Sequence, residues 1–521
     1  MSEPQTRPEF DWAEIDRIIG HIVASPDALR STQHSPLDLQ PTVDIPHSSE
    51  ADVEWAFGEA RAAQPAWAAT PLHERLAIIR RFHDLVLDER ESLCDVVQWE
   101  NGKARTSAMD EVLDIANVCR YYTSTATELL GSVKRRGVFP LLTKVREERH
   151  PIGVIGVISP WNYPLTLAVT DLIPAIIAGN TAVLKPDLQT MATALMAVDL
   201  LYEAGLPKQV VRVVAGEGPV VGDFVTERAD YIMFTGSTRV GRHVAARAGQ
   251  RLVGCSLELG GKNSCVVLPD AKLDVAVDVA VRGAFVNAGQ LCIGTERILV
   301  PASREREFVE AFVEAVERLA LGSVIGWGSE MGPLISRMQL QRTQEHVADA
   351  VAKGATVLTG GVARPDLGPL MFAPTVLTNV SDDMLVCRTE TFGPVCTIYT
   401  YTTEDELVER VNDTEYGLSA AIVTSDPAKA RQLASKLRVG AVNINEPFGA
   451  AYASVDVPMG GMRTSGIGRR HGADGLLKYT EPQAVAEQAT WFPLAPGRFD
   501  DEQWALITSR ALRILKALGV K

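Results

Sequence analysis

Hydrophobic residues recur at helical spacing in the first third of the chain. The pattern holds from residue 49 to about 100, and a further helix is expected at about 107–130. Ser49 or Asp52 can cap the first helix, and Pro71 can open the second. We expect these helices to bury a core, and the pattern assigns them no chemistry.

From about residue 142 the pattern changes to short apolar strands that alternate with helices. The strands of the first block are GVIGVISP, TAVLKP, VVRVVAG and YIMFTG, and a second block runs from Asn263 to about 450 with SCVVLP, RILVP, TVLTN and TIYTY. Such alternation favours right-handed crossovers onto parallel sheets, an α/β fold in which ligands bind at the carboxyl ends of the strands. The alternating, charged segment TKVREERHP before them predicts an exposed or partner-facing strand.

Both ends of the chain lie outside these patterns. Residues 1 to about 50 are Pro- and Ser-rich and weakly patterned, so they either pack on another part or stay loose. The last residues predict a basic amphipathic helix with one apolar face, formed by Trp504, Ile507, Ala511, Ile514 and Leu518. Docking on a neighbouring subunit is the favoured interpretation of this face, and contact with an anionic membrane surface is the alternative.

Composition excludes several classes of protein. A length of 521 residues predicts two or three domains, and a net charge of −14 disfavours nucleic acid as a partner. The seven cysteines are scattered without a C-x-x-C pair, and no histidine stands at metal-binding spacing, so neither a disulfide framework nor a metal site is expected. With no signal-peptide pattern and no apolar run of about 20 residues, the chain is expected to be cytoplasmic.

Cys292 is the strongest candidate nucleophile. It lies in FVNAGQLCIGTER, between the turn-forming residues Asn287 and Gly289 and the small Gly294. The alternative, a small buried apolar residue, suffices for most of the other six cysteines. A free thiol of pKa about 8.5 is only slightly ionised near neutrality, so Cys292 needs a group that lowers its pKa or takes its proton.

Two polar residues can serve this thiol. Glu258 ends an apolar run in SLELGGKN and is a candidate base for the thiol or for water, with a structural ion pair as the alternative. Asn162 in SPWNYP lies between prolines and predicts a rigid donor to an oxyanion. A thiol, a carboxylate and a fixed amide together suit acyl chemistry through a thioester.

Two further segments can face phosphate groups. FTGSTRVGR predicts a strand, a turn and a helix, so backbone N–H groups at 236–241 can bind an anion. Lys185 at the end of TAVLKP adds a cation. A tight turn and a surface lysine are the simpler interpretations.

Seven motifs, PWNYP, LKP, FTGST, LELGGKN, NAGQLC, ETFGP and PMGGMRTSGIGRRHG, occur in an order that resembles the aldehyde dehydrogenase superfamily over about residues 40–485. The stretches KPD and GRRHGxxGLLKYTE resemble in particular the actinobacterial succinate-semialdehyde dehydrogenases (NADP+). The resemblance implies that Cys292 attacks an aldehyde and that Asn162 and the Cys292 backbone N–H hold the oxyanion. A hydride then passes to nicotinamide, and Glu258 activates the water that releases the acid.

The resemblance also implies a cofactor, NADP or NAD, and a division into domains. The implied cofactor-binding residues are Trp161, Asn162, Lys185, Pro186, Asp187, Leu188, Gly236, Ser237, Val240, Leu259, Glu390 and Phe392. The implied parts are a Rossmann-type cofactor domain (1–128 and 152–262), an α/β catalytic domain (263–457), a small β oligomerisation element (129–151 and 475–490) and a C-terminal tail helix (491–521). A homodimer or homotetramer follows from the same resemblance.

The chain departs from the family pattern at the cofactor. NAD-preferring relatives carry a glutamate where this chain has Leu188, whereas Asp187 stands where NADP users often have serine or alanine. We therefore expect both cofactors to be used, with NADP modestly preferred.

It also departs at the substrate. The two arginines that bind a substrate carboxylate in succinate-semialdehyde enzymes are replaced by Thr170 and Val286. The expected substrate is thus a neutral aliphatic or aromatic aldehyde in a pocket lined by Tyr163, Val286 and Phe448. Succinate semialdehyde is the alternative, and it would need another arginine such as Arg463.

Two other functions on the same scaffold are weaker alternatives. CoA-acylating relatives lack the glutamate that stands here as Glu258, and a non-catalytic scaffold would not need the three catalytic groups. Gly294 stands where some relatives have a second cysteine, so no redox-switch disulfide is expected.

Overall fold

The computed structural model of the chain describes residues 5–8, 12–139, 142–490, 497 and 500–519. Within them the helices are α1 (Trp12–Ile19), α2 (Glu50–Ala69), α3 (Leu72–Asp88), α4 (Arg90–Asn101), α5 (Arg105–Leu129), α6 (Pro164–Val169), α7 (Leu172–Ile177), α8 (Met191–Glu203), α9 (Asp223–Arg228), α10 (Thr238–Arg251), α11 (Leu273–Phe285), α12 (Glu305–Glu317), α13 (Arg337–Ala352), α14 (Leu385–Arg388), α15 (Glu404–Asn412), α16 (Pro427–Ala434), α17 (Gly449–Tyr452), α18 (Gly472–Leu477) and α19 (Asp501–Ala517). The strands in the same residues are β1 (Arg30–His34), β2 (Pro41–Pro46), β3 (Val133–Arg136), β4 (Thr143–Pro151), β5 (Val154–Ile158), β6 (Thr181–Lys185), β7 (Val211–Val213), β8 (Tyr231–Thr235), β9 (Gly254–Glu258), β10 (Asn263–Val267), β11 (Thr295–Pro301), β12 (Thr356–Thr359), β13 (Thr375–Thr378), β14 (Val395–Tyr401), β15 (Ser419–Val423), β16 (Ala441–Ile444), β17 (Gly466–Ile467) and β18 (Thr480–Gln488).

The first α/β block forms a six-stranded sheet in the order β17-β9-β8-β5-β6-β7. Its five longer strands run parallel, as the alternation predicted. The strands β5 and β6 are buried along their whole length, which explains their unbroken apolar sequences. The short strand β17 comes from far along the chain and pairs antiparallel with β9, which the sequence pattern did not predict.

The second block forms a seven-stranded sheet in the order β12-β13-β14-β11-β10-β15-β16. All of its neighbours are parallel except β12 and β13. The predicted strands SCVVLP, RILVP, TVLTN and TIYTY are β10, β11, β13 and β14. Helices α11 and α12 bury Phe285, Phe308 and Phe312 against this sheet.

A third sheet in the order β18-β4-β3 stands apart from the two parallel sheets. The segment TKVREERHP is its central strand β4, and β18 pairs with β4 over its whole length. The side chains of β4 are partly buried or exposed, and most side chains of its neighbour β18 are exposed. A partner-facing role for this sheet stays a prediction. Strands from distant parts of the sequence pair in these sheets. The domain boundaries stay a prediction.

The helical region begins as the sequence predicted. Ser49 caps α2: its hydroxyl accepts the Asp52 N–H at 3.2 Å, and the Asp52 carboxylate accepts the Ser49 N–H at 2.8 Å. The segment after Pro71 divides at Glu89 into α3 and α4, a break that the spacing did not predict.

The two chain ends differ in how well they pack. Ile15 and Ile18 of α1 are buried in the core around α8, and β1 pairs with β2, so this part of the N-terminal arm is packed. The tail helix α19 is present with no fully buried residue, and Ile507, Ile514 and Leu518 are exposed. The rest of the predicted tail element, 491–496, 498–499 and 520–521, lies outside the described residues.

Candidate active site

Asn162, Glu258 and Cys292 line one cavity of about 780 Å³. Asn162 follows the carboxyl end of β5, Glu258 is the last residue of β9, and Cys292 lies in the loop before β11. The fold therefore brings together three groups that lie far apart in the sequence. The cavity opens where parallel strands end, which is where ligands bind in such sheets.

The loop that presents Cys292 has an unusual backbone. Three consecutive residues before it have positive φ, at 50° for Asn287, 53° for Ala288 and 70° for Gly289. A Cβ at Gly289 would lie 2.1 Å from the carbonyl oxygen of Gly393, so only glycine fits there. Left-handed φ at Ala288 costs roughly 1–2 kcal/mol. The surrounding fold holds this strained turn and with it the thiol.

The thiol of Cys292 is partly buried and un-ionised. Burial raises its pKa to about 12, helped by the carboxylates of Glu390 and Glu258 and opposed by Arg470 and the backbone N–H of Ile293. The Cys292 carbonyl accepts the Asn263 amide at 2.7 Å, which fixes the backbone. Attack by this sulfur therefore requires a base that removes its proton.

Asn162 is held by its backbone as well as by its side chain. Its carbonyl oxygen accepts the Lys103 ammonium at 2.7 Å and the Asn287 amide at 3.0 Å. Its side-chain amide donates one N–H to the Gln290 carbonyl at 3.2 Å. The amide has a second N–H, so a fixed donor remains for an oxygen atom in the cavity.

Glu258 is buried between two neighbouring strands. In the sheet, Glu258 of β9 lies opposite Thr235 of β8 on one side and opposite Gly466 of β17 on the other. Its Oε1 atom is buried without a hydrogen-bond partner. Burial raises the pKa of this carboxyl to about 7, and the charges of Arg470 and Lys478 oppose the rise. A carboxyl of this pKa can accept a proton near neutrality.

Lys185 and the residues after it form one side of the predicted cofactor cleft. Lys185 ends β6 and is almost fully buried, and burial lowers its pKa. The Asp187 carboxylate accepts the Gln189 N–H at 3.0 Å and caps a short 3-10 turn. Leu188 is buried, as is Pro186. The charge of Asp187 is thus used locally in this turn.

The turn after β8 forms a second side. Ser237 caps α10, so the first backbone N–H groups of this 14-residue helix lie at the predicted phosphate position. A Cβ at Gly236 would lie 2.6 Å from the Phe234 ring, and one at Gly241 would lie 2.4 Å from Leu259. These two glycines keep the turn and the helix close to the sheet. Val240 lies in the first turn of α10 and is partly exposed.

A third side is the segment around Glu390. Its carboxylate accepts the Gly261 N–H at 2.8 Å, and its pKa is raised to about 8 by burial and by the nearby Glu296. Glu296, paired with Lys262, accepts the Phe392 N–H at 2.9 Å and so anchors the segment. The Phe392 ring meets Trp161 edge to face, with centroids 5.5 Å apart.

These three sides fit the dinucleotide implied by the resemblance. They offer a helix N-terminus and a buried lysine for phosphate and ribose oxygens. They also contain Gly236 and Gly241, where the Cβ of any other residue would clash with Phe234 or Leu259 and push the turn away from the sheet. The carboxylate of Glu390 suits a ribose hydroxyl.

The cavity wall next to the thiol is apolar. Tyr163, Val286 and Phe448 line the same cavity as Cys292, as expected for a pocket that receives a neutral chain, and they pack against the same apolar cluster. Thr170 is absent from the lining, and its hydroxyl donates to the Thr166 carbonyl at 2.8 Å. Arg463 is also absent, since its guanidinium donates to the carbonyl oxygens of Asn412 and Thr414. It therefore cannot serve as the substrate-binding cation considered from the sequence.

Sequence reasoning missed the contribution of α5 and of the residues before α18. The early helices bury a core, as expected, and α5 also places Asp110, Glu111 and Asp114 in the cavity lining, which the sequence pattern did not indicate. Arg470 lines it as well, and its guanidinium pairs with Asp171 at 2.7 Å. The spacing of Asp110 and Asp114 on one helical face was the only available signal.

Within the residues that the structure describes, no helix combines the length and apolar character needed to cross a membrane. The same residues contain no group of three or more His, Cys, Asp or Glu side chains arranged to hold a metal ion.

Comparisons with known proteins agree with this site. The model of the Aldehyde dehydrogenase family matches residues 23–485. A Mycobacterium tuberculosis protein named putative succinate-semialdehyde dehydrogenase [NADP(+)] 2 is 49% identical over 86% of this chain and 86% of its own length. A Mycolicibacterium smegmatis protein, named putative succinate-semialdehyde dehydrogenase [NADP(+)], is 50% identical over 85% of this chain and 86% of its own length.

A solved structure of betaine aldehyde dehydrogenase from Staphylococcus aureus in complex with NAD+ superposes with a TM-score of 0.86 at 31% identity. The superposition covers 92% of this chain and 99% of that one. The resemblance drawn from the motifs is thereby confirmed. The chain belongs to the aldehyde dehydrogenase family, and it is an oxidoreductase that acts on aldehydes.

Proposed function

We propose that this chain oxidises an aldehyde to its carboxylic acid through a thioester on Cys292, with Asn162 and Glu258 as the other catalytic residues. The observation that supports this assignment is the convergence of the three groups on one cavity. The thiol and the buried carboxylate have the chemistry that covalent catalysis requires.

The first step is attack of the Cys292 sulfur on the aldehyde carbon. The thiol proton leaves to a base, for which the Glu258 carboxylate is the candidate that lines the same cavity. The carbonyl oxygen becomes an oxyanion, and the free N–H of the Asn162 amide stabilises it together with the Cys292 backbone N–H. The product is a thiohemiacetal with its carbon held in the cavity.

NADP or NAD, when bound, accepts the hydride that leaves this carbon. The residues that would hold the cofactor are those of the three sides described above, with Lys185 and Glu390 on its ribose oxygens. Glu258 first passes the thiol proton to solvent and then takes a proton from water. The resulting hydroxide attacks the thioester carbon, and the carbon–sulfur bond breaks to give the acid and the Cys292 thiolate, which regains its proton from Glu258.

The cofactor residues support use of both NADP and NAD, with NADP modestly preferred. Leu188 offers no carboxylate to repel a 2′-phosphate, and the Asp187 carboxylate is engaged by the Gln189 N–H. Initial rates with each cofactor at saturating aldehyde test this preference, which an equal or larger kcat/KM with NAD would contradict.

The apolar wall supports an aldehyde whose chain near the carbonyl is uncharged, either aliphatic or aromatic. Succinate semialdehyde is the second candidate. It is favoured by the names of the mycobacterial relatives and by the presence of Arg470 in the cavity lining. Against it, the Arg470 guanidinium is already neutralised by Asp171.

Steady-state kinetics on hexanal, benzaldehyde and succinate semialdehyde distinguish these substrates. We expect the two neutral aldehydes to have the larger kcat/KM, and a clear preference for succinate semialdehyde would refute the neutral class.

Cys292→Ala should abolish reduction of the cofactor, because no thiohemiacetal can form. Addition of CoA should leave the rate unchanged, whereas an increase would favour the CoA-acylating alternative.

We also propose a cytoplasmic homodimer or homotetramer. The exposed strand β18 and the exposed apolar residues of α19 support contact between subunits. All seven cysteines are free, which suits a reducing compartment. Sedimentation of the full chain and of a variant that ends at residue 499 tests whether α19 contributes to assembly. Lipid sedimentation of the same pair tests the membrane alternative.

A further inference from the structure

Lys103, in the loop between α4 and α5, forms an ion pair inside the protein with Glu111 of α5. The N···O distance is 2.7 Å, and neither side chain is exposed to solvent. Both charges give up their water in such a pair, so apolar residues of the same volume would stabilise the fold about as well. The value of the pair therefore lies in the geometry that it fixes.

The Lys103 ammonium has three N–H groups and three partners. Besides Glu111, these are the carbonyl oxygen of Asn162, which accepts an N–H at 2.7 Å, and the Tyr163 ring, whose centroid lies 3.7 Å from Nζ. A hydrogen bond from a charged donor is about twice as strong as one between neutral groups. The lysine thus holds the backbone of Asn162 and the face of a ring that lines the cavity.

Glu111 holds the other end of the same turn. Its Oε2 atom accepts the backbone N–H of Leu165 at 2.8 Å and that of Thr166 at 3.0 Å. Both N–H groups belong to the first turn of α6, where backbone donors have no partner inside the helix. The ion pair therefore fixes residues 162–166 at both ends from the side of α5.

The opposite side of Asn162 is tied to the loop that carries Cys292. Asn287 donates its side-chain amide to the Asn162 carbonyl at 3.0 Å and to the Gln290 carbonyl at 3.2 Å. The Asn162 side-chain amide donates to the same Gln290 oxygen at 3.2 Å. These three residues form a closed ring of hydrogen bonds, and Lys103 connects this ring to α5.

We propose that Lys103 and Glu111 are positioning residues for aldehyde oxidation, which hold the Asn162 amide where the oxyanion forms. Both act through Asn162 and not on the aldehyde itself. This inference rests on the proposed function, because Asn162 is the oxyanion donor there. A displacement of about 1 Å at a reacting centre can slow a reaction by about 10²-fold, so loss of the lysine should slow the chemical step.

Lys103→Met tests the inference, because it removes the donor and keeps a side chain of similar length whose thioether can contact the Tyr163 ring. The assay uses the full chain with NADP and the best of the three aldehydes named above. We expect the rate constant of cofactor reduction, measured by stopped-flow absorbance at saturating substrates, to fall by about 10- to 100-fold. The aldehyde KM should change by less than about threefold, because the apolar wall is retained. A rate constant within about twofold of the wild type would overturn the inference.

A double-mutant cycle with Asn162→Ala shows whether the lysine acts through this amide. Asn162→Ala alone should lower the rate constant by about 10²- to 10³-fold, as expected for loss of an oxyanion donor. Adding Lys103→Met to it should lower the rate constant by less than about twofold more. A loss of the same size in both backgrounds would mean that Lys103 acts elsewhere, and the inference would fail.

A second variant separates positioning from folding. Lys103→Met leaves the Glu111 carboxylate buried and unpaired, which lowers the melting temperature. In Lys103→Met/Glu111→Gln no charge is buried, and the Gln carbonyl oxygen can still accept the N–H groups of α6. The melting temperature should recover in this double variant while the rate constant stays low, whereas recovery of the rate would refute the inference. If Lys103→Met does not fold, the double variant takes its place in the cycle.

Arg75→Met is the matched control. It removes a buried cation that donates to the backbone carbonyl oxygens of Trp67 and Ala68, and Arg75 is not among the residues that line the cavity. Its melting temperature should fall, and its rate constant should stay within about twofold of the wild type. A fall as large as that of Lys103→Met would attribute the effect to general packing and overturn the inference.

Failure of the proposed function has a different signature. In that case the wild type would reduce the cofactor with none of the three aldehydes, or Cys292→Ala or Asn162→Ala would be as fast as the wild type. Failure of the positioning role alone leaves the wild type active and both of these variants slow, with Lys103→Met as fast as the wild type.

Discussion

Two buried carboxylates, Glu100 at the end of α4 and Glu258 at the end of β9, have similar acidity but different surroundings. Burial raises the pKa of each to about 7. Glu100 lies at the N-terminus of α8, where its oxygens accept the N–H of Ala192 at 3.0 Å and the N–H and hydroxyl of Thr193 at 2.7 Å. Glu258 has an oxygen without a partner and faces the cavity that contains Cys292.

A perturbed pKa therefore does not by itself identify a catalytic acid or base. Glu100 satisfies a helix end, where the orphan N–H groups and the helix dipole favour a carboxylate. Its surroundings leave no room for a substrate. Glu258, by contrast, lines the cavity that contains Cys292. Its position at the cavity, and not its pKa, separates this candidate catalytic carboxylate from the structural one.

Among the carboxylate substitutions, Glu258→Gln is expected to have the largest effect. Steady-state kcat should fall by about 10²- to 10⁴-fold, because the amide cannot take a proton from water. The fold should be retained, since Oε1 has no partner to lose. Stopped-flow absorbance at 340 nm and thermal melting measure the two quantities. A steady-state rate within twofold of the wild type would remove Glu258 from the mechanism.

The pH dependence of the wild type gives the next largest effect. Glu258 acts as a base only when ionised, and its pKa is raised to about 7. Below that pH, kcat for acid release should fall by about tenfold per pH unit, and above it kcat should level off. Rates from pH 5.5 to 9 in constant-ionic-strength buffer measure this limb, and a profile that is flat from 5.5 to 8 would contradict the assignment.

For Glu100 the raised pKa should affect the pH dependence of folding stability and not that of catalysis. Its carboxyl has a folded-state pKa of about 7, above its ordinary value of 4.5. Its contribution to stability is therefore complete below about 4.5 and is lost as the pH rises through 7. The Glu100→Gln variant should show less of this decrease in the urea midpoint than the wild type.

Arg470→Gln tests what keeps the pKa of Glu258 from rising further. The groups that face this carboxyl are Arg470, Lys478 and Arg469, which lower its pKa, and Asp171, which raises it. Loss of the arginine should move the acid limb of the kcat profile upward by about one pH unit. Arg470→Lys should retain the wild-type limb, and a shift of equal size in both variants would point to a packing defect.

Glu100→Gln should have the smallest effect on catalysis. The amide places an NH₂ group against an N–H or a hydroxyl, so we expect a loss of about 1–3 kcal/mol in the free energy of unfolding. The kcat of the folded enzyme should be unchanged. Chemical denaturation and active-site titration provide the two values. A large fall in kcat with normal stability would contradict the assignment of Glu100 as a structural carboxylate.

The sequence was sufficient to predict most of the secondary structure and the candidate reacting groups, although it did not predict β17 or the break between α3 and α4. Alternation of apolar strands with helices predicted the two parallel sheets, because burial on both faces leaves a local signature in the sequence. Cys292 could be identified because its turn chemistry is local, as could Ser49 as a helix cap. The order of the seven motifs along the chain was sufficient to indicate the family.

Which of these groups meet depends on the tertiary structure. Asp114 and Arg470 belong to segments that the sequence pattern treated as core or left without a role, and the fold brings both to the cavity. The sequence singled out Glu258 as a candidate base but left a structural ion pair as the alternative, because the groups around its carboxyl lie on other elements. Periodicity records whether a residue is buried, whereas its partners depend on contacts between distant segments, and those contacts form only in the folded chain.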